Sequence, residues 1–184
     1  MRADYGGRMP THIGFLRAVN IGKRPYKTAD LRAALTAAGY DDVDTYIQTG
    51  NVRVGSPLRS RAKIEAELEG VFLADRGFEV PTMVFTPAEL RAVAAEADEI
   101  AEQGYTSGHY INLLKRPIPA DLLDELTELT QEGVRFVASD RAMHLLYDIP
   151  FGTAKPATAR ANKIIGVATN RSAKVIREIA ERWC

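Results

Sequence analysis

Four basic residues, Arg17, Lys23, Arg24 and Lys27, fall in one short stretch that holds no acid. Further along, Gln48, Thr49 and Asn51 surround a glycine in the segment TYIQTGNVRV (45–54). Cations, amides and hydroxyls are the groups that hold a phosphate or carboxylate. They bind charge well and move protons poorly, so they suit recognition better than general acid–base work. A tight turn needs Gly50 for positive φ, but it does not need an amide on each side. The candidate ligand-binding residues are therefore Arg17, Asn20, Lys23, Gln48, Thr49 and Asn51, with Arg171 from the basic C-terminal segment. The competing reading is that Asn20 and Asn51 satisfy loop backbone while the cations are merely solvated. Arg17 stands inside the apolar run HIGFLRAV (12–19), where an unpaired charge would be costly to bury. It is expected to turn toward the 48–51 bend.

Other chemistries find no support. The sequence has no glycine-rich loop of Walker or Rossmann spacing and no Gly-x-Ser-x-Gly elbow. His12, His109 and His144 fall on three separate predicted strands, with no spacing that brings two metal ligands together. Asp41, Asp42 and Asp44 read as a solvated helix-to-strand loop. Cys184, the single cysteine, has only Arg182 nearby to activate it. No metal site and no cofactor is expected, and no residue is assigned a catalytic role.

Composition narrows the classes further. The 184-residue chain carries 24 Lys and Arg against 24 Asp and Glu, so it lacks the positive excess of a general nucleic-acid binder. Locally the balance tilts: residues 86–132 hold ten acids and three bases, while residues 155–184 hold seven bases and two acids. No apolar run approaches the roughly 20 residues that span a bilayer, and a lone thiol fits a reducing cytoplasm. Residues 1–11 read as a disordered leader without an apolar signal core.

The elements that must position the candidates follow from periodicity and punctuation. HIGFLRAV reads as a buried strand. A helix capped by Thr28 and ended by Gly39 follows, then a hairpin of 43–48 and 51–54, a helix over 58–76 stopped by Gly77, and an edge strand over 80–86 containing Pro81. That βαββαβ order predicts a ferredoxin-like layer with sheet order 4-1-3-2. Thr86-Pro87-Ala88-Glu89 is a capping box that opens a helix over 87–102. Strands at 108–115, 134–139 and 141–148, a helix over 119–131 and a last helix over 171–183 make a second half with no identified final strand. The fold class is thus α+β, with two ferredoxin-like halves: 12–86, and 87–184 comprising a linker helix and an incomplete second half. Strands one and two would point the same way, so the loop after the first strand and the 48–51 turn share one end of the sheet. The third strand, NVRVGS, has no aromatic residue, so the stacking surface of an RNA-recognition sheet is missing.

The segments FLRAVNIGKR (15–24), TYIQTGNV (45–52) and ATNRSAKVIREIA (168–180) resemble a bacterial family known as domain of unknown function 1697. Phe15, Leu16, Arg17, Asn20, Gly22, Tyr46, Ile47, Gln48, Gly50, Asn51, Thr169 and Arg171 match its motifs. Ala18 replaces the usual Gly, Thr49 the usual Ser, and Ser172-Ala173 the usual Asn-Trp. The resemblance implies an α+β chain of two ferredoxin-like halves and brings no established activity. Three functions stay open: a domain binding a small anionic, phosphate-bearing ligand at the 17–24/48–51 sheet end, an enzyme acting on a nucleotide-like or phosphorylated substrate there, or a structural or partner-binding protein. The oligomeric state is not read from the sequence.

Overall fold

The structure is a computed structural model that describes residues 9–129, 131–155 and 159–184. The expected leader therefore lies outside the described residues over 1–8, and Thr11 already opens the first strand. Two four-stranded antiparallel sheets carry six helices among the described residues. The first half runs β1 (Thr11–Leu16), α1 (Thr28–Ala37), β2 (Asp41–Thr45), β3 (Asn51–Gly55), α2 (Arg61–Arg76) and β4 (Thr82–Phe85). Its sheet order is β2-β3-β1-β4, as the element order predicts.

Helix α3 (Pro87–Ala101) leads into the second half: β5 (Gly108–Leu114), α4 (Leu123–Glu128), β6 (Val134–Ala138), β7 (Ala142–Tyr147), α5 (Ala159–Ile165), β8 (Ala168–Ser172) and α6 (Ala173–Trp183). The order β6-β7-β5-β8 repeats that of the first sheet and is compatible with a second ferredoxin-like layer. The second half is thus not short of a strand. Residues 168–172, partly read as the start of the last helix, form β8 and pair with β5 from Tyr110↔Ser172 to Leu114↔Ala168.

Local punctuation explains most boundaries. Thr86 accepts from the Glu89 amide while Glu89 reaches back to the Thr86 amide, so the capping box forms with Pro87 at the helix start. Gly77 takes φ +73 and donates its amide to Leu73, closing α2. Two expectations are corrected. Thr28 is the first residue of α1, not its cap, and the capping position belongs to Lys27, whose side chain makes no capping bond. Asp41, Asp42 and Asp44 are not a loop: they are the bulged edge strand β2, with Asp42 at φ +49.

Both faces of the first sheet are covered. One face packs Val52, Val54 and Val84 against Leu31 and Leu35 of α1 and Leu68 and Phe72 of α2. The other packs Ile13, Phe15, Met83 and Phe85 against a central layer made by α3, α6 and the near face of the second sheet. Helices α4 and α5 cover the far side of that sheet, around Phe136, Leu145 and Tyr147. The central layer belongs to both halves.

Strand β4 lies at a sheet edge, yet its outward amides are not open. Thr82 donates to Glu69 at 2.8 Å and Val84 to Glu65 at 3.1 Å, both carboxylates on α2. Cations of the second half complete the seam. Lys115 pairs with Glu69, Arg116 lies 3.2 Å from Glu65, and buried Arg141 donates to the Val84 carbonyl at 2.8 Å.

Candidate functional site

The loop after β1, the 46–50 turn and strand β8 meet at one end of the first sheet. They line a groove of about 400 Å³ formed by Leu16–Ile21, Gln48, Thr49 and residues 168–171. Five of the seven predicted site residues, Arg17, Asn20, Gln48, Thr49 and Arg171, line this groove. Asn51 lies fully buried behind it, and Lys23 is exposed and does not line it.

The expectation for Arg17 is overturned. Strand β1 ends at Leu16, so Arg17 is not held within it. Its side chain is exposed and makes no hydrogen bond or ion pair among the described residues; only its backbone amide is anchored, on Pro81. The buried arginine beside the turn is Arg171, delivered by β8. Its Nε donates to Asn51 Oδ1 at 2.7 Å. Nη1 reaches Thr169 Oγ1 and the Asn170 carbonyl, and Nη2 reaches the carbonyls of Thr49, Leu16 and Gly50 at 2.6, 3.1 and 3.2 Å. None of these acceptors is a carboxylate. Burial lowers the Arg171 pKa to about 10, because the charged form loses water without gaining a counter-ion.

The amides flanking the turn are occupied as well. Asn51 donates to the Tyr46 carbonyl and to Thr49 Oγ1, each at 2.9 Å, which closes the bend from inside. Asn20 ties its own loop together: its Nδ2 donates to the carbonyls of Tyr26 and Gln48, and its Oδ1 accepts from the Tyr26 amide. Gly50 is required twice over. It sits at φ +76, and a Cβ there would lie 2.6 Å from Val19 Cγ2. Ala18 and Ile47 also take positive φ, +56 and +47, without being glycine. Among the described residues, Arg17 and Gln48 are groove-lining residues whose polar side chains have no hydrogen-bond or ion-pair partner. Arg24, part of the basic stretch, turns away to the Glu79 carbonyl and over the Phe78 ring.

Residues 9–144 match the family described as protein of unknown function (DUF1697). The chain belongs to that family. A similar solved structure is that of a conserved bacterial protein, SP0830, from Streptococcus pneumoniae. At 20% identity and a TM-score of 0.73 it covers 95% of this chain and 98% of its own, a likeness of fold. No curated protein matches the chain. In this DUF1697 protein Arg171 lies beyond the matched residues, yet it is fixed to the 49–51 turn inside them.

Sequence reasoning missed a second polar cluster. His109 and His144 lie 35 positions apart, and pairing of β5 with β7 sets His109 Nε2 2.9 Å from His144 Nδ1. The signal was available once both strands were placed on adjacent ladders. Among the described residues no group of three or more His, Cys, Asp or Glu is arranged to hold a metal, and no helix is long and apolar enough to cross a membrane.

Proposed function

We propose that this protein binds a small anionic, phosphate-bearing ligand in the groove between residues 17–21, 48–49 and 168–171. The observation that carries the reading is the composition of the wall. Two arginines, amides and hydroxyls line the groove, and no carboxylate lines it. Arg171 contributes a buried charge with no acidic partner, so the groove beside it favours an anion. Arg17 and Gln48 supply free donors for direct contact, while Asn20, Asn51 and Arg171 hold the wall in place. The volume of about 400 Å³ lies within the roughly 300–1,000 Å³ common for small-molecule sites. No imidazole or carboxylate lines the groove to move a proton, which favours binding over catalysis there.

One observation favours the structural alternative: every nitrogen of Arg171 donates to a protein acceptor. Titration separates the two. With inorganic phosphate, nucleotides or sugar phosphates at low salt, backbone amide resonances of residues 17–21 and 48–51 should shift. Raising ionic strength should weaken the response, since charges are screened over about 8–10 Å at moderate salt. Arg17→Met should abolish the shifts without loosening the fold. A flat wild-type response across the panel would establish the structural alternative.

A further inference from the structure

The groove of the first sheet does not end at its own wall. Arg17, which lines it, donates its backbone amide to the Pro81 carbonyl at 2.8 Å. Ala168, which also lines it, follows Val167 in the chain. Pro81 and Val167 line a second depression, a cleft of about 410 Å³ between the C-terminal part of α2 and the second half. The two depressions thus share a border made by the backbones of Arg17 and Pro81 and of Val167 and Ala168.

Apolar surface lies on both sides of that border. The cleft is walled by Leu73 of α2, Val80, Pro81 and Val167. Leu73 and Val167 are 46% and 39% exposed, and Ile21, which lines the groove, is 67% exposed. Among the described residues six large apolar side chains are exposed, and these three sit on the two depressions. Single exposed apolar residues are ordinary, but their gathering in adjoining concave surfaces marks a place that an apolar group covers.

Charge is sorted between the two depressions as well. The groove holds Arg17 and Arg171 and no carboxylate. In the cleft, Glu69 is engaged by the Thr82 amide and by Lys115. Glu79 is exposed, and its carboxylate has no ion pair among the described residues. An anion is therefore drawn to the groove and turned away from the cleft. A molecule with an anionic end and an apolar end has one favoured orientation across the border.

Building on the phosphate reading of the groove, we infer that the ligand is an amphiphile: a soluble phosphate monoester of an apolar alcohol. Its head lies in the groove, and its apolar group crosses the Arg17–Pro81 border to cover Leu73 and Val167. Glu79 also sets a soluble monoester apart from an anionic lipid surface, because a free carboxylate at the cleft repels such a surface.

The test is calorimetric titration of the full chain at low salt with inorganic phosphate and with methyl, butyl and hexyl phosphate. Each added methylene should tighten binding about two- to fourfold, fourfold being the limit for a fully buried one. Arg17→Met should weaken every member by a similar factor. Leu73→Ser with Val167→Ser, both exposed side chains, should flatten the dependence on chain length, with methyl phosphate as the internal reference. Leu73→Met, which keeps the apolar surface, should preserve it. A dependence that survives in the double variant would place the chain elsewhere and overturn the inference. Binding of phosphate and methyl phosphate with no gain along the series would overturn the amphiphile and leave the anion-binding groove standing. No binding by any member would overturn both. Vesicles of phosphatidylcholine containing phosphatidic acid supply the last arm. The protein should stay in the supernatant, and co-sedimentation would reassign the cleft to a membrane surface and overturn the soluble ligand.

Discussion

Arg171 and Asn51, 120 residues apart, share a 2.7 Å hydrogen bond inside the protein. Through that bond and its contacts with Leu16, Thr49 and Gly50, a guanidinium from the second sheet fastens the turn of the first. Its planar fork fits the arrangement because it offers donors in several fixed directions at once. Arg171→Met would leave buried carbonyls without donors, and should destabilise the protein by about 3 kcal/mol. Arg171→Lys, with a single ammonium, should recover about half of that. Urea unfolding midpoints measure both, and a loss below about 1 kcal/mol for Arg171→Met would show the contacts to be incidental.

Ala18 holds φ +56, a conformation that costs an L-residue about 1–2 kcal/mol. Ala18→Gly relieves this strain but frees the unfolded chain, which returns about 0.5–1 kcal/mol. The net expectation is a gain of about 0.5–1 kcal/mol in chemical denaturation. A loss would mean that the Ala18 methyl contributes packing worth more than its strain.

Buried histidines make stability depend on pH. Burial first, then the neighbouring charges of His144 and Arg177, lowers the His109 pKa from 6.5 to about 4, and burial also lowers that of His12. Below pH 6.5 the unfolded chain takes up these protons before the folded one does, so stability should fall between about pH 6.5 and pH 4. At about 1.4 kcal/mol per pH unit, His109 alone accounts for on the order of 3 kcal/mol by the acid end. The depressed Glu96 adds a smaller loss at lower pH, as its bonded carboxylate is protonated below 4.5. Unfolding midpoints of wild type and His109→Gln across this range check the slope, which the variant should reduce.

Glu65 and Arg141 are buried at 1% and 4% exposure, with Oε1 and Nη2 3.7 Å apart. Removing one member of such a pair leaves the other uncompensated. Glu65→Ala should cost about 3–5 kcal/mol, while Glu65→Met with Arg141→Met should cost less than the sum of the single changes. A double-mutant cycle by thermal or urea unfolding would show additive losses if the seam were not coupled.

Much of the fold was legible because punctuation and periodicity agreed. The Thr86–Glu89 box, Gly77 and the apolar run of β1 each impose a local solution that the tertiary structure keeps. Strand β8 was not legible: Ala-Thr-Asn-Arg-Ser has little strand propensity, and pairing with β5 and the bonds of Arg171 make it a strand. The same cause hid the role of Arg171. An apolar neighbourhood around Arg17 suggested a buried charge, but the strand ends one residue earlier, and the buried arginine comes from the far end of the chain. The groove itself was legible, since the shared sheet end follows from strand direction alone. Which polar groups are free within it was not, because that depends on loop bonds such as those of Asn20.

The carboxylates that cover β4 have a consequence for assembly. An uncovered edge strand is a template on which another chain can add a strand, the usual route to edge-to-edge aggregation. Here Glu65 and Glu69 already occupy the outward amides of β4. The opposite edge, β2, is bulged and carries three aspartates. Both borders of the first sheet are therefore closed to strand recruitment, and contact between copies of this protein at that sheet must run through side chains rather than through shared backbone ladders.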